Sequence, residues 1–247
     1  MGNEGSKINE KARGKVSKGS LDNHLETASK TGALNLSRRK LDKIPPKLAT
    51  LCTNLRMLDL SYNNLLEIAI LSNLKSLQKL NISNNKISDI SYLLTLTKLK
   101  SLDCSHNEIQ QIPSLANGMK TLNISYNKVF QLHPEMFKNL DVLNLEANQL
   151  SVIPADFESK NLVELNVNNN KIGELNSGSF VKCCRLKVLR VKNNKLMIDE
   201  FGSDFLKNSN VSTIELEGNL FNEKAMKELD GFEDFEKRRT GMMMKKD

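Results

Sequence analysis

The sequence predicts an α/β solenoid, a horseshoe of about nine coils with a parallel concave sheet and capped ends. A pattern of apolar residues with one asparagine, Leu-x-x-Leu-x-Leu-x-x-Asn-x-Leu, recurs between Thr31 and Phe221. Successive asparagine slots are 20 to 25 residues apart, a period at which short structural units stack into a solenoid. The slots are occupied by Arg39, Asn63, Asn85, Asn107, Asn127, Asn148, Asn170, Asn194 and Asn219.

Each slot of the pattern has a physical role. The stretch x-Leu-x-Leu-x alternates apolar and polar residues with a period of two, which indicates a short strand with one buried face. The asparagine follows where the chain turns inward, and its amide can bond backbone groups of neighbouring coils. We therefore interpret the asparagines as an interior ladder. Arg39 departs from the pattern, as expected of a terminal coil with no preceding neighbour.

Segments outside the strands predict the caps and the back of the coils. Ser20 is a good helix N-cap and Gly32 a good terminator, so a helix between them forms the amino-terminal cap. Residues 198–208 are long enough for a short helix, and residues 223–238 predict a helical or turn-rich cap interrupted near Gly231. Four phenylalanines predict a buried spine on the convex side rather than an aromatic binding patch: Phe137, Phe157, Phe180 and Phe205.

Charge divides the chain into three regions. We predict a basic, disordered segment with an acylation signal over residues 1–19, a solenoid with both caps over 20–236 and a basic tail over 237–247. The net charge is +7, and the basic residues of the two terminal regions account for all of it. We therefore expect no basic stripe along the ordered surface, and this argues against nucleic-acid binding by the solenoid.

The segment Met1-Gly2-Asn3-Glu4-Gly5-Ser6 matches the N-myristoylation signal Met-Gly-x-x-x-Ser, which predicts lipidation at Gly2. One myristoyl chain binds membranes only marginally, and basic residues near an anionic leaflet supply the second signal. Those residues are Lys7, Lys11, Arg13, Lys15 and Lys18. The alternative is that the basic ends remain unmodified and serve solubility.

Other features bear on the compartment. No apolar signal-peptide core and no run of 18 apolar residues occur, so we expect a protein on the cytoplasmic side of membranes with a cytosolic pool. Cys52, Cys104, Cys183 and Cys184 are predicted to be reduced packing residues. A redox pair or a palmitoylation site at Cys183 and Cys184 is the alternative.

The concave face is the predicted site for a protein partner. Polar residues between the apolar slots, including Asp59 and Asp103, form a ladder in the first five coils. Amphipathic residues that can anchor an interface lie beside it: Tyr62, His106 and Tyr126. The residues two positions further along each strand are also predicted to be exposed, namely Ser37, Ser61, Ser83, Ser105 and Ser125. Arg190 and Lys192 mark a second, more charged candidate region, and ordinary exposed residues are the alternative throughout.

Catalytic chemistry is not expected. His24, His106 and His133 are the only histidines, and none has the spacing of a metal site. Ser105 and His106 are adjacent, so on a strand they point to opposite faces and cannot form a hydrolase pair. The sequence predicts no metal, cofactor or small-molecule substrate.

The region from Gly32 to Phe221 resembles the leucine-rich repeat superfamily. Four stretches, Met1-Gly2-Asn3, residues 24–32, residues 183–186 and residues 217–221, are similar to the family of leucine-rich repeat-containing protein 57. That family is regarded as lipid-anchored through its amino-terminal glycine, which implies acylation at Gly2. The leading functional hypothesis is a non-enzymatic interaction scaffold that is tethered reversibly to membranes through Gly2 and presents its concave face to a protein partner. The alternative function is a soluble regulatory subunit that binds a phosphatase or a small GTPase.

Overall fold

The computed structural model describes residues 18–51, 54–114, 118–133 and 138–243. Several residues singled out by the sequence lie outside these ranges: Gly2, Lys7, Lys11, Arg13, Lys15, Cys52 and Phe137. Within the described ranges, no helix is both long enough and apolar enough to cross a membrane.

The fold is the predicted α/β solenoid, built on one sheet of nine parallel strands in chain order. The strands are β1 (Ala33–Asn35), β2 (Met57–Asp59), β3 (Lys79–Asn81), β4 (Ser101–Asp103), β5 (Thr121–Asn123), β6 (Val142–Asn144), β7 (Glu164–Asn166), β8 (Val188–Arg190) and β9 (Thr213–Glu215). Their central apolar residues are in register, for example Leu80 with Leu102 and Leu102 with Leu122. The apolar slots therefore form one continuous core beneath the sheet.

The asparagine ladder lies inside the coils, as predicted. Asn107 is 8% exposed, and its Nδ2 donates to the carbonyl of Ile82 in the preceding coil (2.9 Å) and of Cys104 in its own (3.1 Å). Its Oδ1 accepts from the N–H of Ile87 at 3.0 Å. One amide thus bonds backbone groups of two coils, and without it the buried N–H of Ile87 would lose its partner. The carbonyls of Ile82 and Cys104 each accept a second bond, from Asn85 and Asn127 respectively. The same arrangement recurs at Asn63, Asn85, Asn127, Asn148, Asn170, Asn194 and Asn219.

Helical segments cap the two ends of the solenoid and form the convex side of some coils. The α-helices are α1 (Lys18–Thr31), α2 (Lys47–Leu51), α3 (Ser203–Asn208) and α4 (Phe232–Met243). The 3₁₀ segments are Ala69–Asn73, Ser91–Thr95, Ser177–Lys182, Ile198–Glu200 and Glu223–Glu228. Helix α1 ends as predicted, because Gly32 has a φ of +73° and donates to the carbonyl of Ala28 at 2.8 Å. The predicted N-cap, Ser20, lies inside α1, so that expectation was wrong.

The described phenylalanines of the spine are buried. Phe157 and Phe180 are fully buried with ring centroids 5.6 Å apart, and Phe180 lies 6.2 Å from Phe205. Both contacts are edge-to-face, a favourable arrangement for aromatic rings. Their burial excludes the alternative of an aromatic binding patch at these three positions.

The carboxyl-terminal cap extends further than the sequence indicated. Gly231, with a φ of +93°, separates the 3₁₀ segment Glu223–Glu228 from α4, as predicted. Helix α4 continues to Met243, so the basic tail predicted over 237–247 is helical in its first part. Arg238 in that helix donates from Nε to the carbonyl of Val211 (3.1 Å) and from Nη1 to that of Lys207 (3.2 Å). Partial burial lowers the pKa of this guanidinium. Arg238 therefore belongs to the fold rather than to a solvated tail.

The serines predicted to be exposed after the strands are largely buried. Ser61, Ser83, Ser105 and Ser125 are each 4 to 6% exposed, and only Ser37 of the first coil is half-buried. The physical reason is that the chain turns inward directly after them, through a residue in the left-handed conformation. The backbone N–H of Ser105 donates to Oδ1 of Asp103 at 3.0 Å, and its hydroxyl donates to the same oxygen at 2.7 Å. Period-two alternation does not continue through this turn.

Candidate partner-binding surface

One residue of each coil lies in the left-handed region at the edge where the strands end. Eight non-glycine residues there have φ angles between 53° and 56°: Arg38, Tyr62, Asn84, His106, Tyr126, Ala147, Asn169 and Asn193. Such angles are unfavourable for residues with a side chain, so surrounding structure must hold them. A ladder asparagine follows seven of these eight residues directly in the sequence and supports the turn; Arg38 is followed by Arg39. We call this row the left-handed column.

Two pairs of side chains in the left-handed column are in contact. The guanidinium carbon of Arg38 lies 3.9 Å from the centroid of the Tyr62 ring, a cation–π geometry. The rings of His106 and Tyr126 are stacked, with centroids 4.2 Å apart and planes 7° from parallel. Tyr62 and Tyr126 are nevertheless 48% and 47% exposed. The structure thus places these predicted residues in one row, with part of each tyrosine exposed to solvent.

Asp59 and Asp103 lie on the sheet beside this column. Oδ1 of Asp59 accepts from the N–H of Ser61 at 2.9 Å, the same arrangement that Asp103 makes with Ser105. The second oxygen of each carboxylate accepts no hydrogen bond from a described residue. Both carboxylates are therefore held in a fixed orientation by the backbone, with one oxygen left for a donor from outside.

Arg190 and Lys192 lie in a network of charges on the last three strands. The Arg190 guanidinium bonds Glu164, and its Nε lies 3.0 Å from Glu215. Lys192 Nζ lies 2.7 Å from a carboxylate oxygen of Glu217 and 3.6 Å from one of Glu215. Burial opposes the charge of Arg190, but the two glutamates outweigh it and raise its pKa. The hydrogen bond that the Lys192 ammonium donates to Glu217 is the main cause of the raised pKa of Lys192.

These two groups form separate regions. Tyr126 follows β5 and Arg190 lies in β8, so three strand spacings of about 4.8 Å separate their coils. The cations of the second region already have partners within the chain. Binding them to another protein would require exchanging existing ion pairs, which makes this the weaker candidate.

Sequence reasoning missed two residues of the surface. Met57, at the start of β2, is 47% exposed and lines a groove of about 460 Å³ together with Asp59 and Asp103. Met57 alternates with the buried Leu58 in β2, so the period-two pattern predicts that its side chain lies on the exposed face of the sheet. Arg38 could not have been paired with Tyr62 from the sequence, because the contact depends on the left-handed turns.

The described residues give little support for a metal site or a reactive cysteine. The described residues contain no cluster of His, Cys, Asp or Glu able to hold a metal ion. Cys104 and Cys183 are buried free thiols, and burial raises the pKa of both. Cys184 is free and exposed, so it is not joined to its neighbour. Low reactivity of the buried thiols agrees with a packing role.

Family models match most of the repeat region. A model described as leucine rich repeat matches residues 29–87 and 138–196. A second, described as leucine rich repeats in two copies, matches residues 75–117. Together these matches cover more than half of the chain.

Solved structures share the fold at low identity. A leucine-rich repeat protein of Leptospira interrogans has a TM-score of 0.69 and 23% identity, over 83% of this chain and 58% of that protein. An internalin, inlF, from Listeria monocytogenes has a TM-score of 0.57 and 20% identity, over 85% of this chain and 79% of the internalin. TLR13, in its complex with ssRNA13, has a TM-score of 0.67 and 24% identity, over 90% of this chain and 33% of the receptor. Identities in this range show the fold alone.

Proposed function

This chain belongs to the leucine-rich repeat superfamily, and we propose that it is a non-enzymatic scaffold that binds a protein partner on its strand face. Proteins with this fold commonly mediate protein–protein interaction. The finer proposal is that the partner binds across β2 to β5, at the left-handed column and the adjacent carboxylates.

The observation that supports this site is that its aromatic side chains are held in place by contacts within the chain and are also exposed to solvent. The stacked pair of His106 and Tyr126 and the Tyr62 ring beneath Arg38 are held by contacts within the chain while remaining exposed. Rings that are ordered before binding lose little conformational entropy on association. Aromatic residues are also enriched among the positions that dominate binding energy. The free oxygens of Asp59 and Asp103 favour a partner that presents basic donors beside the rings.

We further propose that the chain is tethered reversibly to the cytoplasmic side of membranes by myristoylation at Gly2, with a cytosolic pool. The support is the motif around Gly2 and Ser6, together with the basic residues that follow it. A single acyl chain gives only marginal binding, so a basic second signal is required. The similarity to the family of leucine-rich repeat-containing protein 57 supports the same modification.

The partner site is tested by capture with a double variant, Tyr62→Ala with Tyr126→Ala. Each substitution is expected to weaken binding of the partner by at least about 1 kcal/mol, because interface rings are lost while the core is untouched. Partners of wild type and variant are compared by quantitative mass spectrometry, and circular dichroism checks the fold.

A matched control for this experiment is Tyr92→Ala. Tyr92 is also a surface tyrosine, 41% exposed, but it lies in the 3₁₀ segment Ser91–Thr95 on the back of its coil. This variant is expected to keep every partner. Retention of all partners by the folded double variant would move the site elsewhere, with the region of Arg190 and Lys192 tested next.

The tether is tested by Gly2→Ala, which removes the acceptor glycine. The variant is expected to shift from membrane to soluble fractions while its melting temperature stays unchanged, because Gly2 precedes the packed coils. Equal membrane association of both forms in cells would remove the acyl anchor from the proposal. A wild type found wholly in the soluble fraction would favour the soluble regulatory subunit that binds a phosphatase or a small GTPase.

A further inference from the structure

The edge of the sheet where the strands begin carries a dense row of basic residues. In the four positions before each of the nine strands, the chain has ten basic side chains and one acidic side chain, Asp141, which gives a formal charge of +9. The ten residues are Lys30, Arg56, Lys75, Lys98, Lys100, Lys120, Lys138, Lys160, Arg185 and Lys187. We call this row the basic edge.

The parallel register brings these residues together. All nine strands start on the same side of the sheet, so residues just before them follow one another along a single edge. Lys30, Arg56 and Lys98 come from three different coils and line one groove of about 290 Å³. Basic residues precede the strands of eight successive coils, so seven steps of about 4.8 Å give the row a length of about 34 Å.

The basic edge is open to solvent. Lys187 is half-buried and the other nine residues are exposed. Lys30 pairs with Glu26 at 2.9 Å, and Lys120 lies 3.6 Å from Asp141. Lys98, Lys100 and Lys160 form no ion pair with any described residue. The positive charges of Lys98, Lys100 and Lys160 are therefore available to an external anion.

This finding corrects the expectation that the ordered surface has no basic stripe. Charge counted along the sequence makes the solenoid neutral, but the fold sorts the charges into separate surfaces. On the strand face, six acidic residues outnumber three basic ones: Asp59, Asp103, Glu146, Glu164, Glu215 and Glu217 against Lys79, Arg190 and Lys192. The basic edge and the acidic face are adjacent surfaces of one neutral solenoid.

We propose that the basic edge binds an anionic phospholipid surface. A row of this length matches an extended layer of headgroups better than a single small anion. Eight of the ten residues are lysines, flexible point charges that adapt to mobile headgroups. No aromatic residue occurs in the four positions before any strand, so the edge lacks the stacking platform that single-stranded nucleic acids use.

This contact sets an orientation for the molecule. With the basic edge on the membrane, the strands stand away from the lipid and the left-handed column lies at the opposite end of the strands. The partner surface at Tyr62, His106 and Tyr126 then remains accessible. The lipid contact does not depend on acylation at Gly2, because it is made by residues of the folded coils.

The test uses the full chain produced without an acyltransferase, so that no lipid anchor is present. Its affinity is measured by co-sedimentation with vesicles of phosphatidylcholine alone and of phosphatidylcholine with phosphatidylserine. The edge variant combines Lys98→Glu, Lys100→Glu and Lys160→Glu. The control combines Lys86→Glu, Lys171→Glu and Lys195→Glu, which are exposed lysines at the other ends of the strands. Both variants change the net charge by the same amount.

The edge variant is expected to lose at least about tenfold in affinity for the phosphatidylserine vesicles, and the control less than about threefold. Wild-type binding should weaken as salt is raised and should be absent with phosphatidylcholine alone. Equal losses in the two variants would overturn the proposal in favour of a net-charge effect. Wild-type binding that the edge variant retains in full would also overturn it.

A nucleic acid is the competing ligand. If a single-stranded oligonucleotide displaced the wild type from vesicles at equal phosphate and bound through the same three lysines, the lipid proposal would be replaced. Failure of the acyl anchor is separable from failure of the basic edge. The difference between wild type and Gly2→Ala in cells reports on the anchor, because both proteins keep the edge. The difference between the edge variant and the control variant of the unacylated chain reports on the edge, because both keep the basic residues from Lys7 to Lys18.

Discussion

At the scale of single residues, the buried asparagines join neighbouring coils through direct hydrogen bonds to the backbone. Each amide bonds backbone groups of its own coil and of the coil before it, as Asn107 does with Cys104 and Ile82. A hydrogen bond between neutral groups contributes only modestly to stability, but a buried partner left unbonded is costly. Removing a ladder asparagine should therefore lower the free energy of unfolding by more than the sum of the modest net contributions of its hydrogen bonds.

Asn107→Ala is expected to lower the free energy of unfolding by about 3 kcal/mol, because the buried N–H of Ile87 loses its partner. The carbonyls of Ile82 and Cys104 each lose one of two donors and keep Asn85 and Asn127 respectively. Chemical denaturation followed by circular dichroism measures the change. Gln110→Ala, at an exposed position of the same coil, is the control and should change stability by less than about 0.5 kcal/mol. A similar stability for the two variants would contradict the role of the ladder.

The ladder could be predicted from the sequence because one residue type recurs at one slot. The burial of Ser105 could not, because it depends on the turn that begins at His106, and a left-handed φ is uncommon for any residue other than glycine. The same turn sets the stacking of His106 on Tyr126. Sequence spacing identified these residues as neighbours of the ladder, but the contact between them is a property of the backbone conformation.

At the scale of elements, the carboxyl-terminal cap shows how a junction is fixed. Gly231 has a φ of +93°, and a Cβ at that position would lie 2.8 Å from Cγ of Lys207 and 3.1 Å from Cβ of Leu206. The turn thus brings α4 close to α3. Arg238 then bonds carbonyls in the last turn of α3, where the backbone lacks partners within the helix.

Gly231→Ala is expected to destabilise the cap by about 2 kcal/mol, since it combines an unfavourable φ with overpacking against α3. Gly241→Ala is the matched control, because Gly241 lies within α4 and a Cβ there meets nothing within 4 Å. That variant should be neutral or stabilise by up to about 1 kcal/mol through its better helix propensity. Thermal melting of both proteins measures the difference, and a stabilising Gly231→Ala would contradict the close approach of the two helices.

The limits of the cap were harder to predict than its presence. Composition marks residues after 236 as basic and therefore solvated, but Arg238 is directed at carbonyls of an earlier coil. Such a contact joins residues 27 to 32 positions apart and leaves no local pattern. The apolar residues Met226 and Phe235 of the cap, by contrast, are buried.

At the scale of the whole molecule, the repeat determines which residues meet and which charges gather. A column of residues that occupy the same position in successive coils becomes an edge or a face of the solenoid. The net charge of the whole solenoid conceals the basic edge, because acidic residues elsewhere cancel it. The charges at equivalent positions of successive coils reveal the edge from the sequence. The identity of a partner is not encoded in this way, because the same columns can present surfaces to different proteins.

The repeat also limits how far a local change spreads. Leu102 lies in β4 at the middle of the sheet, is almost fully buried, and pairs with Leu80 and Leu122 of the neighbouring strands. Truncation to Ala leaves a cavity that these neighbours cannot fully close. In a solenoid each coil contacts mainly its nearest neighbours, so stability is the sum of local terms.

Leu102→Ala is therefore expected to cost about 2 to 5 kcal/mol, with the loss of hydrogen-exchange protection greatest in β3, β4 and β5 and smallest in β1 and β9. Ser105→Ala, in the same coil, removes one hydrogen bond to Asp103 and should cost about 1 kcal/mol. Hydrogen exchange with mass spectrometry resolves both patterns. Equal loss of protection from β1 to β9 in the Leu102 variant would mean that all nine coils unfold as one unit, because a defect confined to one coil cannot otherwise reach both ends of the sheet.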